Sequence, residues 1–288
     1  MADPIRIRLD RSRYKTPSQE DVEEAKRFIL QREEYARILG ERVDGLLSDA
    51  AAAIVLICYR YGIEPKNLIF SSAFNAEMMD EISKVMDDLS DSIYNLILEY
   101  STRATDDRDH IDALAAWVAL LGRGNMNLRD TLDGYLYKTM KDWEAAIAAM
   151  RYAGVGQSTA VTRIKASLHG IYSMPEMVNA FKRAEEFAST YIRNRGVLKG
   201  AVGLSNNGAT NVVNMAKTTL QMAWMREQAA EFHEEGASGY YQLRGNAFPC
   251  DVCDGEVGFH KGIAEIYTKP YPHPHCCCYR IPIFALNP

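Results

Sequence analysis

The stretch that decides the fold is TPSQEDVEEAKRFILQREEYARILGERVDGLLSDAAAAIVLICYRYG, residues 16–62. Thr16 is a helix-capping residue type, Pro17 suits the first helical position, and Gln19 can reach back to the Thr16 amide, so the spacing predicts a helix start there. Val22, Ala25, Phe28, Ile29, Tyr35, Ile38 and Leu39 follow in steps of three and four, the period of a helix with one apolar face. No further proline occurs before Gly62, which supplies a stop. Gly40 and Gly45 interrupt the pattern, and a kink is expected near them.

The same period recurs downstream. Residues 76–103 carry Met79, Ile82, Val85, Met86, Leu89, Ile93, Leu96 and Ile97. Residues 109–121 carry Ile111, Leu114, Trp117, Val118 and Leu121. A fourth helix is expected over 128–153, ended by Gly154 and Gly156. Beyond that break come helices over 158–172, from a Ser173 cap to about 195, and over 210–235 with Gly236 as its stop. A glycine- and asparagine-rich loop is expected over 200–208. From Gly239 the texture changes. Tyr240, Tyr241 and Leu243 read as a short strand, 250–260 as a glycine-bearing turn, and 279–284 as a closing strand. The expected fold is mainly α, a helical body with a small C-terminal β-rich tail. Its expected divisions are an N-terminal helical bundle over 1–154, a helical region over 155–236 and the tail over 237–288.

Composition narrows the function. The chain has 288 residues, 47% hydrophobic and 25% charged, with a net charge of −5. That is ordinary globular composition, and it argues against a dedicated basic nucleic-acid binder. The strongest apolar run, Ala50 to Tyr59, is about half of what a spanning helix needs, so no membrane is expected. Residues 1–14 lack the apolar core of a signal peptide, and the expectation is a protein used without secretion.

Five of the six cysteines crowd into the tail; the sixth, Cys58, sits in an apolar helix and reads as a buried filler. Cys250-Asp251-Val252-Cys253 is a C-x-x-C turn, and after 19 intervening residues comes His273-Pro274-His275-Cys276-Cys277-Cys278. Two thiolates on one side of a tight loop, joined by imidazole and thiolate from a distant segment, match the donors of a tetrahedral zinc site. In an extended segment Cys276 and Cys278 share a face. Four ligands are expected from Cys250, Cys253, His273, Cys276 and Cys278, with His275, His260 and Cys277 in reserve. The thiolate-rich set favours a closed, structural site over a catalytic one. Reduced cysteines packed as small hydrophobes, or disulfides, are the competing readings.

At these residues the chain resembles the phage Mu F-like minor head protein family, also called the phage head morphogenesis family. The resemblance is carried by Ala216-Lys217-Thr218-Thr219 in a long helix, Gly236 and Gly239, Tyr240-Tyr241, the C-x-x-C with Gly255, and the closing His273-Pro274-His275-Cys276-Cys277-Cys278. Lys217 and Thr219 stand where the family has Arg and Glu, and Cys277 where Arg is common. The resemblance implies a structural role: a minor capsid component inside the virion head near the portal, needed for head assembly, genome packaging or DNA delivery. It implies the portal protein, the major capsid protein or both as partners, with packaged DNA as a further contact and no small-molecule substrate.

Arg163, Lys165, His169, Lys182, Arg183, Arg193, Arg195 and Lys199 tilt the middle segment positive, as a solvated face or as a DNA or portal contact. Asp106, Asp107, Asp109 and Asp112 sit at a helix start, where the helix dipole favours carboxylates. The chain shows no phosphate loop, G-x-S-x-G elbow or H-E-x-x-H. An enzyme is therefore not expected. The alternatives are a Cys/His-dependent peptidase or nuclease, using Cys277 with His275 or His260, and a zinc-stabilised adaptor unrelated to virions.

Overall fold

The computed structural model describes residues 17–61, 75–123, 125–168, 207–243, 251–264 and 278–286, with only the backbone of 251 and 252. The expected helix from Ser173 and most of the 200–208 loop lie outside these residues. Among the described residues there are seven α-helices: α1 (Gln19–Arg60), α2 (Ala76–Ser101), α3 (Arg108–Leu120), α4 (Leu128–Tyr152), α5 (Gln157–Ala166), α6 (Gly208–Glu234) and α7 (Asp251–Glu256). A 3-10 turn, Thr102–Ala104, follows α2. Three short strands complete the set: β1 (Gly239–Leu243), β2 (Gly258–Lys261) and β3 (Tyr279–Ile283). The chain is mainly helical with a small antiparallel sheet near its C-terminus.

Helix α1 starts two residues later than the Thr16–Pro17 pattern predicts. Ser18 is its cap: the Asp21 amide donates to Ser18 Oγ at 3.1 Å, and the Ser18 amide donates to Asp21 Oδ2 at 2.6 Å. Asp21 wins over Gln19 because a carboxylate at the third helical position makes a charge-assisted bond and sits at the positive end of the helix dipole. The helix runs unbroken through Gly40 and Gly45. Gly40 serves packing instead, since a Cβ there would lie 2.1 Å from Lys217 Cε.

Two compact units are each discontinuous in sequence. One is built from residues 38–99 and 116–217, the other from the chain up to 37, residues 100–115 and residues 218 onward. In the first unit, Leu39, Val43, Leu47, Ala51, Ile54 and Cys58 of α1 are fully buried, at helical spacing. Ile82, Ile93 and Ile97 of α2 and Leu128, Leu132, Trp143 and Ile147 of α4 are buried as completely. Each large apolar side chain removed from water contributes about 1.5–3 kcal/mol, so this periodic face is what holds the helices. Polar ties add direction: Tyr59 Oη donates to Val155 O at 2.6 Å, and Arg151 donates to Cys58 O. Asn207 accepts from the Ala209 amide at 2.9 Å, capping α6, and donates to Leu168 O at 3.0 Å.

In the second unit α6 ends as Gly236 predicts. With φ +76°, Gly236 donates to His233 O and Ala237 to Phe232 O, at 3.0 and 2.9 Å, which is a Schellman stop. The chain turns straight into the sheet, whose strand order is β2-β1-β3. Ala229 and Phe232 of α6, Tyr240 of β1 and Ile263 after β2 form one buried cluster beside Ala237, fixing the sheet to the helix end.

Candidate metal centre

β2 and β3 both pair antiparallel with the central β1, so they run parallel to one another. Gly258 lies opposite Gln242, and Tyr279 opposite Leu243, so β2 and β3 begin at the same end of the sheet. With adjacent strands ~4.8 Å apart, the two starting points are on the order of 10 Å from each other. Helix α7, carrying Cys253, ends two residues before β2 begins, and Cys278 immediately precedes β3. The topology thus delivers Cys253 and Cys278 to one end of the sheet.

Cys253 is 4% exposed and Cys278 is 5% exposed. The stretch 250–260 is expected as a turn; its described residues, from 251 on, instead form α7 and β2, with the Val257 amide donating to Cys253 O at 3.1 Å. Cys250, His273 and Cys276, with the reserves His275 and Cys277, lie outside the described residues. Among the described residues no group of three or more His, Cys, Asp or Glu is gathered as metal ligands. His260 is committed to the sheet: its ring stacks on Tyr240 at 4.7 Å and 3°, and Nε2 donates to Glu256 O at 2.8 Å. Cys58, in the other unit, is fully buried, and burial pushes its thiol up to about 12, so it is inert as a nucleophile.

The chain has no significant match among family models, curated proteins or solved structures.

A second polar constellation sits on α6, and local sequence reading missed it. His110 of α3 bridges two α6 carboxylates: Nδ1 lies 2.7 Å from Glu227 Oε1 and Nε2 3.0 Å from Glu234 Oε1. Glu227 is 3% exposed. Its hydrogen bond and charge hold the His110 pKa above the usual histidine value. His110 is oriented by the N-terminal turn of α3, where Asp107 Oδ1 accepts from the Asp109 and His110 amides at 2.9 and 3.1 Å. Those bonds, the His110 amide's first, lower the Asp107 pKa. Part of the acidic Asp106–Asp112 cluster is therefore a helix cap. On the same helix, Gln221 Nε2 donates to Glu33 Oε1 at 2.8 Å, and the buried Arg32 guanidinium pairs with the same carboxylate at 2.8 Å. Of the basic middle segment only Arg163 and Lys165 are described, and Lys165 pairs with Asp49 at 3.2 Å. Among the described residues no helix is long and apolar enough to cross a membrane.

Proposed function

We propose that this chain is a bacteriophage minor head protein: a structural component that docks by its helical surfaces on the portal or major capsid protein and works without turnover. The tail is a zinc-clipped module in this reading, with the metal held by four of Cys250, Cys253, His273, Cys276 and Cys278. The observation that carries it is the parallel placement of β2 and β3 about β1, which brings Cys253 and Cys278 to the same end of the sheet. Two buried thiols there suit thiolate ligation, and bound zinc would supply a cross-link in place of a larger core. The chain's own residues make the frame: α7 carries Cys253, Cys278 immediately precedes β3, and the cluster around Phe232 fixes the sheet to α6.

The resemblance of the tail and of the Ala216–Thr219 segment to head morphogenesis proteins supports the virion location. A symmetric portal or capsid partner would fix a low copy number, because each equivalent patch offers one site. Mass spectrometry and electron microscopy of purified particles test this. The chain is expected at fixed, low stoichiometry in heads; its presence only as free protein in infected cells, with none in particles, would contradict the reading.

A further inference from the structure

In the second unit, a cleft of about 530 Å³ lies between the first turns of α1, the C-terminal half of α6 and β3. That volume is typical of ligand-sized sites. Two kinds of side chain dominate its lining. Phe28, Trp224, Phe232 and Phe284 supply aromatic surface, and Asp21, Glu24, Glu231 and Glu235 supply carboxylates. Phe28 and Trp224 pack with ring centres 5.9 Å apart. Gln228 also lines the cleft at 4% exposure, and its Oε1 accepts no hydrogen bond among the described residues. A buried carbonyl without a donor costs about 1–3 kcal/mol, and a donor entering the cleft would recover it.

The lining also holds two cations. Arg280 is committed to the sheet, over the Tyr240 ring at 5.2 Å and donating to Gln242 Oε1 at 3.2 Å. Arg27 is exposed on α1. They leave the carboxylates in excess, as Glu231 reports. Partial desolvation in the cleft, then Glu227, Glu235 and Glu24, push its pKa up to about 7, and His110 offsets only part of that.

We propose that this cleft receives an arginine side chain presented by a partner protein. A guanidinium is planar, stacks on aromatic faces and offers five donors, so one group can lie on the aromatic lining while pairing with a cleft carboxylate and the Gln228 carbonyl. The described carboxylates are not gathered closely enough to form a metal-ligand group, which favours an extended organic cation over a divalent ion. The proposal does not depend on where the protein acts, and its failure would leave the head-protein reading untouched.

The test is a titration of full-length protein with acetyl-Gly-Arg-Gly-amide, following the Trp224 indole NH by NMR, with the citrulline peptide as the neutral isostere. The arginine peptide is expected to shift the Trp224 signal and leave that of Trp143, which is buried in the other unit. Binding should weaken roughly tenfold from pH 8 to pH 6, as Glu231 takes up a proton. Glu24, Glu227 and Glu235 face Glu231 with like charge, and His110 with opposite charge, so all set the midpoint. Glu231→Gln and Glu24→Gln, both isosteric, should each weaken binding severalfold and remove or flatten the pH dependence. Equal binding of the citrulline peptide would overturn the proposal. So would the same shift with calcium alone, or no shift at about 10 mM peptide, the scale of the weakest specific affinities.

Discussion

Gly208→Ala and Gly45→Ala are the same chemical change, and the structure gives them opposite signs. Gly208 opens α6 against α4. A Cβ there would lie 2.4 Å from Thr139 Oγ1, 2.8 Å from Thr139 N and 2.9 Å from Tyr135 O. Two of these are backbone atoms, and the Thr139 hydroxyl is held by its own bond to Tyr135 O at 2.8 Å. The helices must therefore separate by several tenths of an ångström, at an overpacking cost of about 1–3 kcal/mol. Reduced unfolded-state freedom returns about 0.4–1 kcal/mol, leaving a net loss of about 1–2 kcal/mol. Gly45 is exposed within α1 and has nothing within 4 Å of its virtual Cβ. Alanine there should stabilise by about 0.5–1 kcal/mol. Both glycines belong to the same unit, so one urea transition followed by circular dichroism reads both. Midpoints should move in opposite directions at constant slope. A neutral or stabilising Gly208→Ala beside a stabilising Gly45→Ala would refute the close approach of α4 and α6.

The remaining predictions concern the second unit. His110→Ala strands the buried Glu227 carboxylate and should cost about 2–3 kcal/mol at pH 6, read by chemical denaturation. Above the ordinary carboxylate range, wild-type stability should fall with rising pH. The raised His110 pKa gives a contribution that is complete below the ordinary histidine value and lost as pH climbs through the folded value. Glu231 has the same sign: its contribution is complete below 4.5 and lost as pH rises through about 7. Because Glu231 is only partly desolvated, Glu231→Gln should recover only about 1 kcal/mol at pH 8; a destabilised variant there would show that the carboxylate is favourably paired. Cys253→Ser should open the tail sheet to limited proteolysis while most helical circular dichroism survives, since the apolar faces of α2 and α4 do not include the tail. Global loss of helix would show that the tail and the helical body do not fold separately.

What the sequence disclosed followed its periods. The buried set Leu39, Val43, Leu47, Ala51, Ile54 and Cys58 repeats at three and four residues, so α1 was legible from a window of its own length. Gly236 announced the end of α6 because a left-handed stop needs a residue without a side chain. The cap was misplaced because Thr16 and Ser18 offer the same chemistry, and the choice fell to the acceptor three residues on. Short elements hid for a different reason. Gly255 near the end of α7 disguised a helix as a turn, and Gly258 to Lys261 is too brief to show alternation until β1 pairs with it. The candidate metal centre was half legible: C-x-x-C spacing is local, but its convergence with Cys278 comes from two strands flanking a third. The bridge from His110 to Glu227 spans 117 residues, and the acidic–aromatic cleft joins both ends of the chain. No local pattern carries such pairings.

The most direct test of the central claim is the zinc content of the purified full-length chain, measured by elemental analysis beside Cys253→Ser and Cys278→Ser. The account predicts about one zinc per chain, strongly reduced in each variant, with the β1–β2–β3 sheet losing order in step. A zinc-free protein whose tail sheet remains folded would contradict it.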